Sequence, residues 1–186
     1  MIPPQQIGWS WIEVAGAEVQ IRRLLPADAA LYREIRLEAL TLVPEAFSST
    51  FAAESVEPLS WFAARLDRAV VFGAVADGDL LGIAGFFAKQ GRKEAHKGAL
   101  WGMYVRPNAR QRGVGRRLVE AVIYHARRHV ELLQLSVVSG NEPARRLYAE
   151  LGFVEYGIEK NALQEDGRYW DEILMAKPLS PDEITR

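Results

Sequence analysis

The apolar positions change period along the chain, and that change predicts the elements. Val19-Gln20-Ile21-Arg22 alternates as a half-buried strand does. Pro26-Ala27-Asp28 then predicts a helix start, with Leu31, Ile35, Ala39 and Leu42 on one face and Pro44 as its end. A loop over 43–50 precedes a short helix from Leu59 to Leu66. Val70–Ala76, a turn at Asp77-Gly78-Asp79 and Leu80–Ala88 predict a β-hairpin. A polar link from Lys89 to Lys97 leads to a strand at Ala99–Val105, stopped by Pro107 and Asn108.

Beyond Gly113 the period becomes helical, with Val114, Leu118, Ala121, Val122 and His125 on one side. Leu132–Val138 is nearly all apolar and reads as a central strand covered on both faces. Asn141-Glu142-Pro143 predicts an N-cap for a helix over Ala144–Leu151, and Gly152 its stop. Two strands, Phe153–Ile158 and Tyr169–Ala176, close the pattern around a loop containing Asp166-Gly167. The expected fold is α+β: a single domain with a mixed, mostly antiparallel central sheet flanked by helices. It occupies 18–179, between an N-terminal arm or tail (1–17) and a C-terminal tail (180–186). Trp9 and Trp11 suit an arm packed on the domain or on a second copy, so a homodimer stays open.

Composition narrows the function. The 186 residues are 49% hydrophobic and 25% charged, with a formal net charge of −1. That is ordinary globular composition and lacks the basic excess of a nucleic-acid-binding surface. No run reaches the roughly 18 apolar residues of a membrane span, and Met1–Gln6 lacks a secretory pattern. The absence of cysteine removes thiolate chemistry and fits a cytoplasmic location. His96, His125 and His129 form no metal-binding spacing, so no metal is expected.

The chemistry concentrates in Arg110-Gln111-Arg112-Gly113-Val114-Gly115-Arg116. Two glycines one residue apart let backbone N–H groups converge, and a helix opening there adds its unpaired amides and positive dipole end. Such a nest binds an anion, most often a phosphate. Arg106, Arg110, Arg112, Arg116 and Arg117 crowd it, with no acid between Val105 and Glu120. A Rossmann fingerprint would need a third glycine where Leu118 stands, and a P-loop needs Gly-Lys-Ser/Thr.

The order of pieces goes further. A strand, Arg-x-x-Gly-x-Gly, a long helix, a buried strand, Asn141 and a helix ending Leu151-Gly152-Phe153 together resemble the GNAT superfamily of acetyl-CoA-dependent N-acetyltransferases. The resemblance runs from about Val19 to Leu179. It implies acetyl-CoA as co-substrate, its pantetheine arm beside the backbone of Met103, Tyr104 and Val105. It also implies that the stretch from Arg110 to Arg116, with Gln111, Arg112, Gly113, Val114 and Gly115 between them, holds the pyrophosphate. Asn141 would reach the cofactor, and Tyr148 would donate a hydrogen bond, and late in the reaction a proton, to the departing thiolate.

The implied reaction is direct attack by an amine of a small molecule, protein or peptide. At pH 7, deprotonating a lysine-like amine costs about 4.6 kcal/mol. Glu38, Glu45, Glu94, His96, Asp171 and Glu172 are the candidate bases, beside a water chain. Arg36, Glu38, Phe47, Ser48, Tyr156, Tyr169 and Trp170 are expected to line the acceptor, aromatics with acids suiting a cationic amine. A non-catalytic acyl-CoA sensor is the competing reading.

Overall fold

The computed structural model describes residues 12–14 and 17–179. Within them, β1 (Ile12–Val14) and β2 (Ala17–Arg23) lead into a 3-10 turn at Pro26–Asp28 and α1 (Ala29–Leu42). After a second such turn at Pro44–Ala46 come α2 (Phe51–Ser55), α3 (Leu59–Arg68), β3 (Val70–Ala76), β4 (Asp79–Ala88) and β5 (Lys97–Val105). A third turn at Pro107–Ala109 precedes α4 (Val114–Ala126), β6 (Leu132–Val138), α5 (Glu142–Glu150), β7 (Val154–Glu165) and β8 (Arg168–Pro178).

The strands join in the order β1-β2-β3-β4-β5-β6-β8-β7. All neighbours are antiparallel except β5 and β6. Here the expected mixed, mostly antiparallel sheet is present. One core lies on the α4 and α5 side, around Leu118, Val122, Leu133, Leu135, Tyr148 and Met175. The other lies beneath α1 and α3, around Tyr32, Ile35, Phe62, Ile83 and Tyr104. The reading of 1–17 as an arm falls mostly outside the described residues. The C-terminal tail lies wholly outside them.

Several expectations shift once tertiary packing is visible. The buried stripe of α1 is Tyr32, Ile35, Arg36, Ala39 and Leu40, while Leu42 is exposed. The 43–50 loop ends in an unanticipated helix, α2, whose N-cap Thr50 accepts a hydrogen bond from the Ala53 amide at 3.2 Å. The final hairpin is longer than expected, because β7 and β8 run up to a two-residue Asp166-Gly167 turn. Both turn residues have positive φ, 47° and 77°, as a type I′ turn requires. β6 is sealed on one face, where Leu133, Leu135 and Val137 are buried, and only partly covered on the other, where Val138 is buried, Leu132 and Gln134 are half-buried and Ser136 is exposed.

The His125 and His129 rings lie with centroids 4.4 Å apart, tilted by 40°, and His125 meets Phe86 edge-on at 5.2 Å. Burial, then the nearby His129, Arg23 and Arg128, pull the His125 imidazole down to about 4. A histidine kept neutral in the fold gives stability that is full above its unfolded pKa of about 6.5. That stability is lost as pH falls from there towards 4. The melting temperature of His125→Phe is therefore expected to fall less than that of the parent between pH 7 and pH 5. Parallel pH profiles would refute this burial effect.

Candidate functional site

The site begins where two parallel strands part. β5 and β6 pair at Lys97↔Leu132, Gly98↔Leu133 and Ala99↔Gln134, and no further. On β5, the residues from Trp101 to Tyr104 span one position more than their β4 partners Gly85 to Ile83. Gly102, at φ 63°, sits in this bulge. A bulge with glycine in the left-handed region bends its strand and sharpens the twist. The ends of β5 and β6 diverge beyond it, and the backbone groups of Leu100–Val105 that would have faced β6 border a gap. Met103, Tyr104 and Val105 all lie on this stretch. One group is already used, since the Val105 carbonyl accepts from Arg110 Nε at 2.9 Å.

The gap ends at the N-terminus of α4. Gln111 and Gly113 both have left-handed backbone, at φ 59° and 81°. The first helical bond there runs from the Arg117 amide to the Gly113 carbonyl at 3.1 Å, so the amides of Val114, Gly115 and Arg116 precede the ladder. A Cβ on Gly113 would meet no protein atom within 4 Å. Glycine there serves the backbone conformation and keeps the space before the helix clear. Gly115 has another reason: its Cβ would lie 3.2 Å from Met103 and 3.4 Å from Leu147, where α4, β5 and α5 close together. This cradle has the shape and donors for a diphosphate.

The arginine cluster is less cationic than its sequence suggests. Arg106 pairs with Glu34 and Glu38 of α1, Arg116 with Glu150, and Arg117 with Glu120. Arg110 folds back on β5, its guanidinium 5.8 Å from the Tyr104 ring centroid. It braces the loop against the strand. Arg112, exposed, has no side-chain partner among the described residues. The partners of Arg106 come from 68 to 72 residues away in sequence, out of reach of any local pattern.

Asn141 caps α5, its Oδ1 accepting from the Ala144 amide at 3.2 Å. Tyr148 lies one residue beyond Leu147, the side chain that faces Gly115. Its ring is 4% exposed and packs edge-on against Phe153 at 5.9 Å. No group among the described residues hydrogen-bonds its hydroxyl. Burial pushes the phenol far up, so it stays protonated throughout the neutral range.

The candidate bases separate cleanly. Glu94 and His96 precede β5 at its closed end, where the His96 carbonyl accepts from the Glu131 and Leu132 amides, and they do not join the site. Glu38 accepts from the Tyr104 hydroxyl at 2.9 Å and pairs with Arg106. Burial first, then this bond to Glu38, raises the Tyr104 phenol to about 12. Asp171 is held by Lys160 at 2.7 Å and by the Asn161 amide. Glu45 and Glu172 are half-buried and carry no ion pair among the described residues. Glu172 lies opposite Val138 at the open end of β6, on the sheet face away from α4.

The expected acceptor lining is mixed. Arg36 is no solvent-facing lining residue: it forms a buried fork on Glu54, at 2.9 and 2.7 Å, beneath the Phe47 ring. Ser48 is exposed, Tyr169 points largely to solvent, and Trp170 is half-buried on β8. Tyr156, though mostly exposed, accepts from Gln134 at 3.1 Å across the open face. Arg65 of α3 and Trp101 of β5, which sequence reasoning missed, meet on this face, the guanidinium 4.9 Å from the indole centroid.

Residues 35–153 match the sequence pattern of the Acetyltransferase (GNAT) family. The chain belongs to that family. It is 34% identical over 116 residues to a phosphinothricin N-acetyltransferase of Alcaligenes faecalis, covering 60% of this chain and 58% of that one. To an L-amino acid N-acetyltransferase of Escherichia coli it is 27% identical over 165 residues, covering 87% and 98%. Among solved structures, a GNAT-family acetyltransferase of Streptococcus pneumoniae shares the fold with a TM-score of 0.78 at 24% identity, over 88% and 100% of the two chains. An acetyltransferase of Salmonella typhimurium solved with acetyl-CoA superposes with a TM-score of 0.74 at 25% identity, over 87% and 94%. The matched region includes the glycine turn at the start of α4. No helix among the described residues is long and apolar enough to cross a membrane.

Proposed function

We propose that this chain transfers an acetyl group from acetyl-CoA to the nitrogen of an amine by direct attack in a ternary complex. The observation that carries this reading is the parting of β5 and β6 after Ala99, which leads to the open amide nest at Gly113. Both are the shapes that a pantetheine arm and a diphosphate need. When bound, acetyl-CoA supplies the activated thioester and a thiol leaving group.

The protein's part is placement and proton handling. The amides of Val114, Gly115 and Arg116, with the helix dipole behind them, hold negative charge at one end of the gap. The exposed edge of Leu100–Val105 aligns an extended chain as an added strand does. Tyr148, held protonated by burial, donates to sulfur as charge grows there. An amine proton must leave as the C–N bond forms and the C–S bond breaks. Of the candidate bases, Glu172 and Glu45 are the half-buried carboxylates with no ion pair among the described residues, and they receive it directly or through water.

A thiol-release assay with acetyl-CoA against amines, amino acids, polyamines and peptides tests the activity. Acetyl-CoA binding without turnover on any acceptor would make this chain a sensor instead. Gly113→Val is expected to weaken coenzyme A binding about 10-fold or more, because its side chain enters the space before the α4 amides. Calorimetry on a variant with native circular dichroism measures it. Unchanged affinity would move the diphosphate elsewhere.

A further inference from the structure

On the sheet face under α1 and α3, opposite α4, two buried hydrogen-bond donors lack partners among the described residues: Arg36 Nη1 and Trp101 Nε1. They belong to one cluster. Arg36 grips Glu54 through Nε and Nη2, leaving Nη1 on the far edge of its guanidinium. Arg65 reaches the same Glu54 oxygen at 3.3 Å and lies over the indole of Trp101. Trp101 itself stands on β5 immediately before the Gly102 bulge, where the strands part. A Cβ on Gly85 would lie only 2.4 Å from this indole, so β4 leaves it its seat.

The charge balance gives the cluster a sign. Two guanidinium groups share one carboxylate, leaving an excess positive charge in a half-dry site. Glu38 and Glu34, the next acids on α1, are taken by Arg106. An arginine fork can serve a carboxylate with either edge, and the second edge of Arg36 is unused. Buried donors with no acceptor are costly, and what relieves them best is an anion with two oxygens.

We propose that the acceptor carries a carboxylate beside its amine, and that Arg36 Nη1, Trp101 Nε1 and Arg65 receive it. This rests on the acetyltransferase reading above and specifies its substrate class: free α-amino acids and their close analogues, rather than polyamines or internal lysines. Arg65, whose side chain is 24% exposed, is the movable member. It swings from the indole to admit the carboxylate and then closes over it.

The experiment compares kcat/KM for leucine, methionine and glutamate with their α-amides and decarboxylated amines. A site built to hydrogen-bond a group rejects analogues that lack it. The free acids are expected to be favoured about 100-fold or more. Amides or amines used equally well would overturn the proposal while leaving the acetyltransferase reading intact. If no acceptor turns over, that reading fails, and calorimetry on the coenzyme A-loaded protein decides the carboxylate site. N-acetyl-leucine should then bind about 10-fold tighter than its amide, and equal or absent binding overturns the site. Trp101→Phe and Arg65→Met, which spare the Arg36–Glu54 fork, should raise KM about 10-fold for the acid and under about 2-fold for the amide. Equal losses on both substrates would make the cluster structural only.

Discussion

Tyr148→Phe is expected to lower kcat about 100- to 1,000-fold while changing coenzyme A affinity by less than about 2-fold, because a positioned proton or hydrogen-bond donor is worth that much at a departing group. The ring is nearly sealed against Phe153 and the α4-side core, and phenylalanine keeps every carbon of it. What disappears is one hydroxyl with no protein partner among the described residues. A buried hydroxyl engaged in packing alone would leave stability and rate almost untouched when removed. Steady-state kinetics beside calorimetry separate the cases, and an unaltered kcat would reduce Tyr148 to a core residue.

The largest effect on stability is expected at Glu54. Its side chain is 4% exposed and shared by Arg36 at 2.7 Å and Arg65 at 3.3 Å. Burial by itself would raise this carboxyl. Hydrogen bonds from Arg36 and Ser49 and the two positive neighbours outweigh it and hold the group below the usual range. Glu54→Gln leaves Arg36 charged and dry, a loss of about 3–5 kcal/mol. On a domain whose total stability is on the order of 5–15 kcal/mol, that is a large fraction. Urea denaturation should show a lower midpoint at an unchanged slope. The carboxyl is depressed in the fold, so its contribution is present above its unfolded pKa and lost as pH falls through the folded one. Stability of the parent and of Glu54→Gln should therefore converge in acid.

The sheet and the nest were legible because they depend on local rules. Alternation marks β2, apolar runs on either side of Asp77-Gly78-Asp79 mark the β3–β4 hairpin, and the glycine pair marks the start of α4 whatever the rest of the chain does. The short helix α2 left a signal at Thr50, an N-cap residue directly after a serine pair, but five residues carry no helical period of their own. The electrostatics were not legible. Arg106 finds Glu34 and Glu38 on α1, and Arg116 finds Glu150 on α5, so a run that reads as a cationic patch folds into mostly paired charges. Arg36 looked like a lining residue because helical spacing places it only approximately; its burial follows from α2 bringing Glu54 beneath it. Trp101 escaped notice because its isolation depends on Gly85 across the sheet, a pairing set by the bulge register.

That register has a mechanical consequence. Within the sheet, only three rungs between β5 and β6 tie strands β1–β5 to strands β6–β8. Apart from the short β1–β2 pairing at the sheet edge, the seam is thus the most thinly tied line of the sheet, and α4 and α5 pack across it. A ligand lying in the gap would act as a clasp between the two halves and suppress their breathing. Amide exchange along Leu100–Val105 and Leu135–Val138 should slow more on ligand binding than exchange in β3 or β4, which the seam does not touch.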